Sequence, residues 1–167
     1  MRRIALFTLS FLIVSHCIAA EAGTRRRAAA HPSNLTWTVE ITTTGGFSGQ
    51  GVGSVMIHAS GAIAATDLST KSCSSRLSQG DLLTLNQAIQ HSNPAEWNHC
   101  YVKASNPTGC CDQVQYRLTF KDLDAAHREK TFMTFWYDQN SEALPADLGR
   151  LFNAAWEIRR RTLEGCR

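Results

Sequence analysis

The sequence predicts an α+β domain: an antiparallel sheet of about five strands with two helices packed on one face, in the order βββ-α-ββ-α. Three observations carry that expectation. Apolar residues alternate with polar ones in several short runs, the period of half-buried strands. Two longer stretches place apolar residues at helical spacing. The connections between consecutive strands are short enough for hairpins, which implies antiparallel pairing and leaves one face for the helices.

Each element has its own signature. Leu35, Trp37, Val39 and Ile41 alternate with Thr36, Thr38, Glu40 and Thr42 to give the first strand. Val55, Ile57 and Ala59 alternate again, Ser60-Gly61 marks a turn, and Ala62 to Thr66 returns as a third strand. Ser78-Gln79-Gly80-Asp81 resembles a capping box with Asp81 in place of the usual Glu. Leu82, Leu85 and Ile89, with Leu83 beside them, follow at helical spacing, and Asn93-Pro94 ends the helix. Residues 95–112 form a long connection with little regular structure that holds three cysteines. Val114, Tyr116, Leu118 and Phe120 alternate with Gln113, Gln115, Arg117, Thr119 and Lys121, a strand with one wet face. Asp122 to His127 is a polar turn. Thr131 to Tyr137 (TFMTFWY) is apolar on both faces, as a central or covered strand is. Pro145 suits the first turn of the closing helix. Leu148, Leu151, Phe152, Ala155 and Trp156 form its apolar stripe, and Arg159-Arg160-Arg161 reads as its solvated basic end.

The chain has 167 residues, 43% of them hydrophobic, with four tryptophans, enough for one domain with a core. Its first residues read as a signal peptide. Met1-Arg2-Arg3 is a basic start, Ile4 to Ile18 an apolar run, and Ala20-Glu21-Ala22 a small-residue cleavage pattern. Cleavage after Ala20 is the alternative to cleavage after Ala22. The apolar run is short for a membrane span, and His16 before Cys17 is too bulky for a lipidation site. The expected organisation is a signal peptide at 1–22, a basic, Ala-rich flexible leader at 23–33, and one domain at 34–167. Export implies a secreted or periplasmic protein with no membrane anchor after cleavage, acting as a monomer. Removal of Arg2, Arg3 and Glu21 lowers the formal charge from +3 to +2, too little for a nucleic-acid surface.

In an oxidising compartment the cysteines default to disulfides. Cys73, Cys100, Cys110, Cys111 and Cys166 remain after cleavage, an odd number that leaves one thiol over. Cys110 and Cys111 are adjacent, so each is expected to bond elsewhere. Cys73 and Cys100 are the expected partners, with Cys166 free. His99-Cys100 and Cys110-Cys111 lack the spacing of a structural zinc site, so no metal is expected.

No catalytic constellation is visible. The sequence has no HExxH helix, no GxSxG elbow, and no Lys-Ser/Thr after Gly45 and Gly49 to make a phosphate loop. His58 reads as a structural strand histidine. The chain reads as a binding protein that needs no cofactor, with an enzyme using the His99-Cys100 region as the rival from another class.

Several segments in series resemble the emfourin family, small bacterial protein inhibitors of thermolysin-like metalloproteases. They are Gly45-Gly46-Phe47-Ser48-Gly49 after the opening strand, the helix from Leu82, Asp112-Gln113-Val114-Gln115-Tyr116-Arg117-Leu118, and Leu144-Pro145-Ala146-Asp147-Leu148. The resemblance covers roughly residues 35–160. It implies an exported inhibitor of thermolysin-like zinc metalloproteases that blocks the active-site cleft with loop 45–49. Gly45, Gly46, Phe47, Ser48 and Gly49 would be the partner-binding residues, with Phe47 in the apolar pocket beside the catalytic zinc. The export signal and the cysteine-bearing insertion at 95–112 depart from simpler members. They leave open an exported interaction or scaffold domain with no protease target. For Phe47 itself, the alternative is a side chain folded back onto the core.

Overall fold

The computed structural model describes residues 36–69, 71–104, 112–123, 128–139 and 141–166. They belong to one compact unit, Asn34–Arg167. The class is α+β, as the sequence predicts. Seven strands form one sheet: β1 (Thr38–Gly45), β2 (Ser54–His58), β3 (Ala62–Thr66), β4 (Ser72–Arg76), β5 (Cys100–Tyr101), β6 (Val114–Leu123) and β7 (Glu129–Tyr137). Helix α1 (Gln79–Gln90) follows β4, and α2 (Ala146–Glu164) follows β7. The strand order is β4-β3-β2-β1-β6-β7-β5. All pairs are antiparallel except β5 on β7.

Two strands exceed the expected five. β4 reads Ser-Cys-Ser-Ser-Arg, and only Cys73 is buried. An edge strand with one inward side chain carries no apolar alternation, so nothing in its sequence announces it. β5 has two residues and sits where the long connection touches β7.

The register explains the core. Val39 faces Ile57 on one side and Phe120 on the other, and Ile41 faces Val55 and Leu118. These side chains point to the helix-covered face, with Leu85 from α1 and Leu148, Leu151 and Ala155 from α2. Val39, Ile41, Val55, Ile57, Leu85, Leu118, Leu148 and Leu151 are wholly buried. Each such side chain contributes about 1.5–3 kcal/mol by leaving water. Trp37 is buried just ahead of β1, and its indole N–H donates to Asn86 Oδ1 at 3.1 Å. That bond satisfies the one polar atom that Trp37 takes inside. Tyr116, Trp136, Phe152 and Trp156 meet in edge-on and stacked pairs between the sheet and α2.

Ser78 caps α1, accepting from the Asp81 N–H at 3.1 Å while its hydroxyl donates to Asp81 Oδ2 at 2.8 Å. Leu83, on the other side of the helix from Leu85, is 55% exposed. Pro145 stands just before α2 rather than inside its first turn.

Three expectations are corrected. Cys73 pairs with Cys166, with Cα atoms 6.2 Å apart, so Cys166 is not the leftover thiol. The bridge joins β4 to the end of α2, where the two elements already pack. Cys100 is exposed and free. Cys110 and Cys111 lie outside the described residues, as do His31 and His127. Of the two expectations for β7, central or covered, the first does not hold, because only the two residues of β5 lie beyond it. Its second apolar face, Met133, Phe135 and Tyr137, is instead half covered, with His99 edge-on to Phe135 at 5.6 Å. The connection from residue 95 is held by aromatic side chains rather than by a cysteine in its described part. Trp97 donates to Asp147 Oδ2 at 2.9 Å, and Tyr101 is buried while its hydroxyl accepts from the Asn98 N–H at 2.9 Å.

The Arg159-Arg160-Arg161 triplet also divides. Arg160 and Arg161 are exposed and ion-paired, to Glu157 and Glu164 and to Asp81 and Glu157. Arg159 is buried. It continues the Leu148, Leu151, Ala155 stripe, which the helical period carries to 158 and 159.

Candidate functional site

β1 ends at Gly45, and the chain reaches β2 only at Ser54. The loop between them is built from its own hydrogen bonds. Gly45 N–H donates to Gly49 O at 3.2 Å, Gly49 N–H to Gly46 O at 2.9 Å, and Gly51 N–H to Gly45 O at 2.8 Å. Gly46 N–H donates to Gln113 O at 2.9 Å and ties the loop to the start of β6. Thr43, the last buried residue of β1, closes the base. Its hydroxyl donates to Gly53 O at 2.6 Å and accepts from the Val52 N–H at 2.8 Å.

Glycine is required at three of these positions, and at Gly51 (φ +71°) a Cβ would strike the backbone of Thr43. Gly45 has φ +83°, and a Cβ there would strike the Gln113 carbonyl. Gly53 has φ +106°, and a Cβ there would overlap Thr66 O and the guanidinium of Arg159. Gly49 shows the other case, with positive φ but open space around it.

Phe47 sits at the tip with Gly46 and Ser48 and is 96% exposed. The core alternative for this side chain is therefore not what the structure shows. Leu68, on the β3–β4 turn, is 57% exposed. Phe47, Val52, Leu68 and Val114 line an open hollow of about 460 Å³, with Gln50 and Asp112 on its rim. Asp112 has φ +69°, the one non-glycine residue in that region among the described residues. Asp adopts it more readily than most side chains. A second hollow of about 250 Å³ lies beside the first, and Gln50 and Leu68 line both. Asp67 borders it. The hydroxyl of Ser69 leads in holding its carboxyl below the ordinary aspartate value; burial opposes, and the N–H groups of Ser69 and Lys71 assist.

Arg159 lies under this end of the sheet. Its Nη2 donates to Val52 O at 2.5 Å and Thr66 O at 2.6 Å, and its Nε to Ser54 O at 3.2 Å and Thr66 O at 3.1 Å. Its guanidinium also stands 4.3 Å over the Trp156 ring. Burial pushes its pKa below the ordinary arginine value, while Asp67 and Tyr116 act in the opposite direction. It remains a cation, because a guanidinium does not lose its proton in proteins.

The structure thus brings Gly45, Gly46, Phe47, Ser48 and Gly49 into one closed loop and adds Val52, Leu68, Asp112 and Val114 beside it. Sequence reasoning missed Leu68; the one signal it offered was a lone apolar residue between the turn formers Asp67 and Ser69. Among the described residues, the histidines are placed elsewhere. His58 Nδ1 is 3.1 Å from Thr38 Oγ1, and His91 Nδ1 is 2.7 Å from Gln87 O. Among the described residues no group of three or more His, Cys, Asp or Glu side chains is placed to hold a metal ion. No helix among them is long and apolar enough to cross a membrane.

Comparisons of the chain with protein families, with curated proteins and with solved structures find no match.

Proposed function

We propose that this protein is an exported inhibitor of thermolysin-like zinc metalloproteases, an emfourin-like protein that fills the active-site cleft with the loop Gly45, Gly46, Phe47, Ser48, Gly49. One observation carries the reading: Phe47 is 96% exposed on a loop that is internally hydrogen-bonded. A large aromatic side chain in water gains nothing for the fold, but it suits the anchor of an interface. A loop held in one shape before contact loses less conformational entropy on binding. The ordered series of emfourin-like segments supplies the choice of partner. The basic and apolar N-terminal segment supports export, and the Cys73–Cys166 bridge suits an oxidising compartment.

The test is titration of thermolysin and related proteases with the purified protein, followed by cleavage of a peptide substrate. Stoichiometric loss of activity supports the reading. Full protease activity at micromolar inhibitor, with no complex on gel filtration, rejects it. The alternative, an exported interaction domain with no protease target, is favoured by one feature. Met133, Phe135 and Tyr137 form a second, half-exposed apolar strip on the open face of the sheet.

A further inference from the structure

Phe47 and Leu68 are the two most exposed large apolar residues of the described chain, at 96% and 57%. They stand on different connections, β1–β2 and β3–β4. The order β4-β3-β2-β1 and antiparallel pairing bring those connections to the same end of the sheet. The two side chains line one hollow with Val52 and Val114.

Beside the direct Ser54–Thr66 pairing of β2 and β3, one side chain from α2 reaches both connections. Arg159 Nη2 donates at once to Val52 O, in the Phe47 loop, and to Thr66 O, just before the turn that carries Leu68. Its Nε repeats the bridge between Ser54 O and Thr66 O. The planar fork of arginine can hold two backbones at a fixed spacing, whereas a lysine ammonium is a point charge on a flexible stem. Among the described residues, its hydrogen-bond partners are all backbone carbonyls. An apolar residue in its place would leave these carbonyls without this donor, so the group holds the two backbones as well as filling space.

We infer that Leu68 is a second anchor of the edge led by Phe47, and that Arg159 is the positioning residue that sets their spacing. The inference rests on the reading of that edge as the protease-binding surface. The hollow between the anchors receives one apolar side chain from the rim of the protease cleft, so the contact is reciprocal. Phe47 enters the protease, and the protease enters between Phe47 and Leu68.

The probe is thermolysin, titrated with the unmodified protein, Leu68→Ala and Phe47→Ala. Leu68→Ala is expected to weaken inhibition about tenfold or more, the effect of uncovering one aliphatic side chain, at an unchanged melting temperature. Loss of binding in Phe47→Ala with full binding in Leu68→Ala overturns the second anchor and leaves the loop reading standing. Full inhibition by both variants, or none by the unmodified protein, defeats the loop reading as well.

Arg159 is tested without any partner, by hydrogen exchange on Arg159→Lys. The amides of Gly45, Gly49, Gly51 and Val52 should exchange faster while those of the β1–β6 ladder from Thr38 to Thr44 keep their protection. Unchanged exchange at the four loop amides overturns the positioning role. Arg159→Gln, read the same way below its melting temperature, is the second variant should the lysine form not fold.

Discussion

Two connections leave β2 at its opposite ends, and they solve different problems. Residues 59–61 join β2 to β3. Gly61 has φ +82°, its N–H donates to His58 O at 2.8 Å, and a Cβ there would meet nothing closer than 3.8 Å. This is all that an antiparallel reversal needs. Residues 46–53 join β1 to β2 and hold positive φ at Gly46, Gly49, Gly51 and Gly53, with bonds to Thr43, Gln113 and Arg159. The first connection is also tied to its neighbours, at Trp37, Arg76 and Leu77, but it is short and carries no large apolar side chain. The second is supported by three other segments and carries at its tip a phenylalanine that is not part of the core. The difference shows that glycine richness here marks a built shape rather than a slack one.

Substitution at the two connections should separate them first. Gly53→Ala is expected to cost about 3 kcal/mol or more, because left-handed strain adds to a clash with backbone and the guanidinium. Gly61→Ala should cost only about 1–2 kcal/mol, the strain alone. Urea denaturation of both gives the contrast, and equal losses would erase it.

The bridge between β4 and α2 comes next. Cys73 and Cys166 are 93 residues apart in sequence, and replacing both by serine should cost about 2–4 kcal/mol. Alkylation with mass spectrometry after proteolysis checks the pairing itself. Recovery of Cys73 joined to Cys100, Cys110 or Cys111 would contradict it. Because Arg159 and Cys166 lie on the same end of α2, loss of the bridge should also loosen the 46–53 loop more than the 59–61 turn. Hydrogen exchange of the paired and unpaired forms reports this.

A smaller effect lies far from both connections. Asp147 is partly buried, which opposes its charge, but the Asn93 N–H and the Trp97 indole hold its carboxyl below the ordinary value of 3.8. A carboxyl with a lowered folded pKa stabilises above its unfolded value, and that stability is lost as pH falls through the folded one. The advantage of the native protein over Asp147→Asn should be constant near neutral pH and shrink below about pH 4. Its size should stay under about 1 kcal/mol, since the group is close to solvent. Thermal melts of both proteins from pH 7 to pH 2 show it, and an advantage that grows on acidification would contradict it.

Much of the fold was legible because core strands carry period-two apolar residues and α2 carries a wide stripe. What was not legible had a physical cause in each case. β4 has one inward residue, Cys73, and without that strand its bridge to Cys166 had no visible geometry. Arg159 was grouped with Arg160 and Arg161 by charge, although its helical position belongs with Leu151 and Ala155. For the site, the glycines and Phe47 stood out, whereas Leu68 and Asp112 joined them only through the pairing of β3 and β6 with their neighbours. A sequence pattern reports periodicity along one segment. It does not report which distant connections the sheet brings to one end.

The most direct test of the account is Phe47→Ala, measured twice on the same preparation, by thermal melting and by titration of thermolysin. The account predicts no change in melting temperature, because the removed side chain is exposed. It predicts a loss of affinity of about 2–4 kcal/mol, roughly 30- to 1000-fold, as for an anchor residue. A large fall in melting temperature with undiminished inhibition by the folded fraction would contradict it and place Phe47 in the service of the fold.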